Sequence, residues 1–167
     1  MPFASGPILR YVGGGQYVTV GATTYVGAKD LIVVPSDFPT DLASIPRVFW
    51  WLLPPNGTYE KSAVIHDWHC TQLAKGDCRI SSADADGLFR RMAAEGGTSF
   101  VTRWILWTGV RWGALFNPAR RPGFLPDAPK VAAITTATAL AAAAVIVTVD
   151  RAAHWLARLP RTLRRTP

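Results

Sequence analysis

The spacing of apolar residues changes along the chain. Between residues 8 and 34, short β-branched and aromatic runs alternate with turn residues. Tyr17-Val18-Thr19-Val20 is followed, after Gly21-Ala22, by Thr23-Thr24-Tyr25-Val26, and Leu31-Ile32-Val33-Val34 is closed by Pro35. With Gly13-Gly14-Gly15 as a loop or hairpin tip, this predicts a small antiparallel sheet. Helical spacing takes over later and predicts helices over 59–74, 82–94 and 98–115. Ser81 and Asp84 form a capping box for the second, Leu88, Phe89 and Met92 give its apolar face, and Gly96-Gly97 ends it. Between sheet and helices, turn formers surround the run Val48-Phe49-Trp50-Trp51-Leu52-Leu53. Six residues are too few to cross a bilayer, so this run is expected to line the core as a short helix.

The last third has a different character. Pro118, Pro122, Pro126, Pro129 and Gly123 mark residues 117–130 as a basic, Pro-rich linker and the main domain boundary. Residues 131–149 carry no charge, and nineteen helical residues make roughly 28 Å, close to a hydrocarbon core. Eight of them are alanine and four threonine, so the drive to insert is weak. The segment is either a membrane-spanning or lipid-inserted helix, or an Ala-rich helix packed on a partner. In the basic tail, 150–167, Trp155 with Arg158, Arg161, Arg164 and Arg165 resembles an interfacial belt and an anchor for anionic lipid. The expected fold class is α+β: a small N-terminal antiparallel sheet packed on a helical His-Asp domain over 1–116, then the linker and a C-terminal hydrophobic helix.

Charge sharpens the partner. The formal net charge is +7, and five arginines, counting Arg151, lie in the last eighteen positions. No domain-wide basic face, helix-turn-helix, zinc finger or stacking sheet is visible, so the reading favours a membrane over nucleic acid. Before the hydrophobic helix stand Arg111, Arg120, Arg121 and Lys130, and four positive residues against five set no orientation. Cys70 and Cys78 make no disulfide framework and are read as free thiols. The N-terminus has no basic region followed by an apolar run, so no cleaved signal peptide is expected.

The candidate chemistry lies between Asp41 and Asp86. His66-Asp67 is embedded in Ala63-Val64-Ile65-His66-Asp67-Trp68, where buried polar groups need partners. Asp86 precedes Phe89 by three positions and shares its helix face. Two antiparallel helices would set Asp86 against His66, fixing the tautomer and leaving the other ring nitrogen as a base. His66 and Asp86 are thus the candidate catalytic pair, with Asp67 left to bind a divalent cation or a backbone group. The same pair, acting structurally, would simply tie two helices together. Asp41 and Ser44 sit in a Pro-bounded loop that either caps a helix or faces a site. His69 and Cys70 follow His66 by one turn. His66, Cys70, Cys78 and Asp86 offer donors for zinc, but at no standard finger spacing.

Phe38-Pro39-Thr40-Asp41-Leu42-Ala43-Ser44-Ile45-Pro46-Arg47, Trp50-Trp51-Leu52-Leu53-Pro54-Pro55, Ala63-Val64-Ile65-His66-Asp67-Trp68 and Ala85-Asp86-Gly87-Leu88-Phe89 follow one another in order. This series resembles domain-of-unknown-function family 1353, over roughly residues 8–115. The resemblance implies a bacteriophage or prophage protein and no particular activity. His69-Cys70 departs from the Leu-Tyr-like residues expected there. A second, local similarity is to secreted phospholipases of the sn-2 type, in which a helix carries His-Asp and a second helix supplies an Asp. It implies His66 as the base that activates water, Asp86 as its orienting partner and Asp67 as a calcium ligand, with Asp41 as a substitute ligand. The Gly-rich calcium loop and the disulfide set of those enzymes have no counterpart here.

Three functions follow. The first is a non-catalytic virion structural or assembly protein of a phage, associated with membrane and in contact with other phage proteins. The second is an envelope-directed hydrolase using the His-Asp dyad, with calcium. The third is a lysis accessory factor. Each places the protein at a host membrane or in a virion.

Overall fold

The structure, a computed structural model, describes residues 3–27, 31–42, 57–77 and 80–158. Ser44, the Val48–Leu53 run, Cys78, Arg161, Arg164 and Arg165 lie outside the described residues. Six strands come first: β1 (Phe3–Ser5), β2 (Ile8–Gly13), β3 (Gln16–Val20), β4 (Thr23–Val26), β5 (Leu31–Val34) and β6 (Pro39–Thr40). Four helices follow: α1 (Glu60–Lys75), α2 (Ser82–Glu95), α3 (Phe100–Phe116) and α4 (Ala128–Arg158). The chain is α+β, as its patterning predicts.

The β region is two antiparallel three-stranded sheets, in the orders β1-β4-β5 and β2-β3-β6, where a single small sheet was expected. Gly13, Gly14 and Gly15 all have positive φ and form the β2-β3 hairpin tip. Gly21, also at positive φ, joins strands of different sheets instead of making a second hairpin. Thr19 anchors this break. Its buried hydroxyl donates to the Pro35 carbonyl (2.8 Å) and accepts from the Phe38 amide (2.9 Å), which holds the turn before β6 against β3.

Tyr25, Val34, Phe38 and Leu42 pack on Val64 and Ile65 of α1 and on Leu88 and Met92 of α2. This cluster joins the strand region to the helices. α1 is buried over five consecutive residues, Ser62 to His66, because it has neighbours on opposite sides. Val64 and Ile65 belong to the strand-side cluster, whereas Ala63 joins Tyr59, Phe89, Ala93 and Leu106. His66 meets Asp86 at one end of the α1-α2 pair and Thr58 meets Thr98 at the other, so the two helices run antiparallel. The Ser81 hydroxyl accepts from the Asp84 amide at 3.1 Å, as the capping box requires. Gly76, left-handed at φ 74°, closes α1.

The Pro-rich segment folds back on the helices as two short 3-10 turns, Arg121–Gly123 and Leu125–Asp127. It carries the buried side chains of Arg120 and Phe124. α4 starts at Ala128 and runs for 31 residues, longer at both ends than the uncharged stretch 131–149. Its first turns are seated through Val131, Ala128 and Ile134 on Trp107 and Phe124, and beyond Thr138 every described residue of it is exposed. By length and composition it is the one helix among the described residues apolar enough to cross a membrane.

Gly96 ends α2 where the chain passes closest to itself. A Cβ there would stand 2.6 Å from the Thr58 carbonyl oxygen, which is backbone and has little room to yield. Gly96→Ala should therefore destabilise the domain by about 1–3 kcal/mol, the usual cost of overpacking. Urea unfolding followed by circular dichroism measures this, and an unchanged midpoint would show that the α1 entry is free to move.

Candidate functional site

Residues far apart in sequence converge on Asp86. Asp86 lies on the inner face of α2 and is fully buried. Its Oδ1 stands 2.6 Å from Nε2 of His66 on α1 and accepts from the Arg120 guanidinium, also at 2.6 Å. Its Oδ2 accepts from Arg111 of α3 at 2.8 Å. Arg111 is itself 0 % exposed; it also donates to the Gly123 carbonyl and pairs with Asp127 at 3.4 Å. Arg120 adds bonds to the Val110 carbonyl (3.1 Å) and the Ser82 hydroxyl (3.4 Å). One carboxylate thus fastens α1, α2, α3 and the 120–127 turns together.

His66 and Asp86 meet, as the two-helix argument required, but the contact is a four-group cluster and not an isolated dyad. Arg111 and Arg120 are the members that sequence reasoning missed. For Arg111 a signal existed: Trp107, Arg111 and Ala114 recur at helical spacing, so the arginine falls on the buried face of an apolar helix and needs a counter-charge. For Arg120 there was none, because its register depends on the turn after Asn117.

The His66 ring is 6 % exposed and lies 5.1 Å from the Phe89 ring. Cys70, a free thiol one turn later, places its sulfur 3.8 Å from both ring nitrogens. Burial pulls the imidazole pKa down, but the bond to Asp86 and the contact with Cys70 outweigh it and raise the value from 6.5 to about 9. The contacts with Asp86 and Cys70 thus favour the imidazolium, the form with no lone pair to act as a base. Two pockets open away from His66, along α2 and at the end of α4.

Asp67 points away from this cluster. Its Oδ2 accepts from the Thr40 hydroxyl at 2.5 Å, and Thr40 accepts in turn from the Leu42 amide at 3.0 Å. β6 and α1 are joined there, beside Asp41. Burial pushes the Asp67 pKa from 3.8 to about 7, and Asp41 adds to this; the Thr40 bond, His66 and Arg120 oppose it. A carboxyl that still holds its proton near neutrality, with one oxygen bonded to a hydroxyl, is a poor ligand for a hard cation. Among the described residues no three His, Cys, Asp or Glu side chains come together as a metal site. Of the four zinc donors read from the sequence, Cys70 and Asp86 both adjoin His66, and Cys78 lies outside the described residues. His69 is half-buried on α1, one turn after His66.

Two outcomes follow. Asp86→Ala would leave the buried Arg120 without a counter-charge and Arg111 with Asp127 alone, and should cost about 3–5 kcal/mol in urea unfolding. The pKa shifts set the pH response. An imidazole raised above its unfolded value contributes stability that is complete below about pH 6.5 and is lost as pH rises through about 9. A carboxyl raised above its unfolded value binds its proton more tightly in the folded chain, so stability falls from about pH 3.8 to about 7. Stability should thus decline from about pH 5 to about pH 9, and Asp67→Asn should remove only the lower part of the slope. A curve flat over that range would contradict both assignments.

No curated protein and no solved structure matches the chain. The family described as a protein of unknown function (DUF1353) matches residues 19–110, more than half of the 167 residues. The matched span contains His66, Asp67 and Asp86 and ends one residue before Arg111; Arg120 and α4 lie beyond it. On that match the chain belongs to the DUF1353 family.

Proposed function

We propose that this chain is a non-catalytic phage or prophage protein with a structural or assembly role, held at a host membrane by α4. The observation that carries the non-catalytic reading is the occupancy of Asp86. A carboxylate that activates a histidine leaves the far ring nitrogen a lone pair and a path to substrate. Here two guanidinium groups share the carboxylate, the contacts favour the protonated imidazole, and the Cys70 sulfur lies 3.8 Å from both ring nitrogens. The phage setting comes from the ordered motifs between Phe38 and Phe89. The membrane setting rests on α4, whose uncharged stretch is exposed beyond Thr138, and on the basic residues after it.

Burial of the arginines also alters the charge balance around that helix. Arg111 and Arg120 bond to Asp86 and are not available to lipid headgroups. Only Arg121 and Lys130 remain before the uncharged stretch, against Arg151, Arg158, Arg161, Arg164 and Arg165 after it. The even count read from sequence becomes two against five, and the C-terminal end is the one suited to anionic lipid.

A second reading, an envelope-directed hydrolase, draws on Asp67. Its carboxyl titrates near neutrality beside Thr40 and Asp41, a property shared by general acids. Asp67→Asn tests that reading directly: phage propagation unchanged by it would exclude Asp67 as a general acid. A second variant tests the cluster. His66→Leu, Asp86→Leu, Arg111→Met and Arg120→Met made together replace the whole cluster by apolar groups of similar volume, which proteins often tolerate without loss of stability. If the cluster only braces the fold, the quadruple variant folds and supports phage propagation as the natural chain does. A folded variant that fails to propagate would overturn the non-catalytic reading. For the membrane role, deletion of residues 139–167 spares the seated turns of α4 and should move the chain from the membrane to the soluble fraction. Unchanged fractionation would exclude α4 as the anchor.

A further inference from the structure

A second group of arginines stands apart from Asp86. An open groove of about 670 Å³ runs along α2, lined by Ala83, Gly87, Leu88 and Ala94, by one acid, Asp84, at its end, and by the arginines Arg90, Arg91 and Arg103. The Arg90 guanidinium lies 4.0 Å from the centre of the Trp104 ring, and its buried Nε has no hydrogen-bond partner. The Arg103 guanidinium lies over the Phe100 ring at 5.1 Å. Among the described residues neither guanidinium has a hydrogen bond or ion pair to an acid: Asp84, on the groove wall, accepts from the Ser81 hydroxyl that caps α2, and Glu95 accepts from the Tyr25 hydroxyl.

Two like charges held in one groove repel each other. Burial lowers the Arg90 pKa, and Arg103 lowers it further. Aromatic faces fix the direction of each guanidinium but do not offset its charge fully. An anion in the groove would remove the repulsion and supply acceptors to two planar forks, one of which has a buried N–H without a partner.

We propose that Arg90 and Arg103, seated on Trp104 and Phe100, form a binding site for a phosphate group. Phosphate suits the site because its oxygens can accept from two guanidinium groups at once, which a single carboxylate does less well. The group can arrive free in solution or on a lipid. Phe100 and Val101 are 65 % and 64 % exposed at the start of α3, beside Arg103, where a lipid headgroup would bring its chains. The site does not depend on the membrane role of α4.

The test uses the full chain and two probes: inorganic phosphate, titrated by calorimetry in neutral detergent, and phosphatidylcholine vesicles with or without phosphatidic acid, mixed with the chain, freed of detergent and scored by flotation. The natural chain should bind at least one probe, and Arg90→Gln and Arg103→Gln should each weaken that binding about tenfold, the loss of one charge-assisted pair. Arg90 is packed on Trp104, so its variant is checked by circular dichroism. Arg103 lies over an exposed ring, and its variant keeps the test valid if the other misfolds. Arginine-dependent binding of inorganic phosphate alone identifies a free ligand; arginine-dependent flotation with phosphatidic acid identifies a headgroup. Binding to neither probe, or binding that Arg103→Gln leaves unchanged, would overturn the proposal.

Discussion

A single buried carboxylate governs this fold. An ionised Asp86 with no exposure is tolerable only because donors surround it, and each donor comes from a different segment: His66 from α1, Arg111 from α3, Arg120 from the turns before α4. The dependence is mutual. Arg111 is fully buried and Arg120 nearly so, and the acid offsets the charge of both, with Asp127 sharing that of Arg111. The helices are held in register by this network as well as by the apolar contacts of Phe89, Ala93 and Leu106. Such a cluster fixes one arrangement more effectively than it adds stability, because desolvating its charges opposes most of the attraction between them.

The same network decides the chemistry of His66. Read locally, a His-Asp pair on facing helices suggests a base and its orienting acid. The cluster reverses that meaning. The contacts with Asp86 and Cys70 favour the protonated imidazole, and the carboxylate that would have served one histidine also serves two arginines. Asp67, the neighbour in sequence, is turned toward Thr40 and belongs to the junction between β6 and α1. Adjacent residues on a helix point about 100° apart, so an His-Asp dipeptide is two environments before it is one motif.

Much of this was legible in the sequence where the signal was local. Helical spacing placed α1, α2 and α3, the Ser81 cap and the Gly96-Gly97 stop were readable, and Asp86 could be assigned to the face of Phe89. The pairing of strands was not local. Gly21-Ala22 looks like a hairpin connection, yet Thr19 bonds across to Pro35 and Phe38 and sends β3 and β4 into different sheets. Nor was the role of residues 117–127 legible. Proline and glycine mark where a helix cannot continue, but not that the resulting turns deliver Arg120 to a carboxylate 34 positions earlier.

The Asp86 network also bears on how α4 would meet lipid. α4 is seated on α3 as far as Thr138, so its freely projecting uncharged part is 139–149. Eleven residues rise only about 16 Å, half of a hydrocarbon core. For all of 131–149 to lie in lipid with α4 still seated, the neighbouring face of α3 must lie there too. That face carries Val101, Ile105, Gly109, Trp112, Gly113 and Phe116, which fall on one side of the helix and include no charge. The charged side chain in the middle of α3, Arg111, is turned inward and bonded to Asp86. The contact that holds the helices together is thus also what keeps the exposed side of α3 uncharged where α4 leaves the domain.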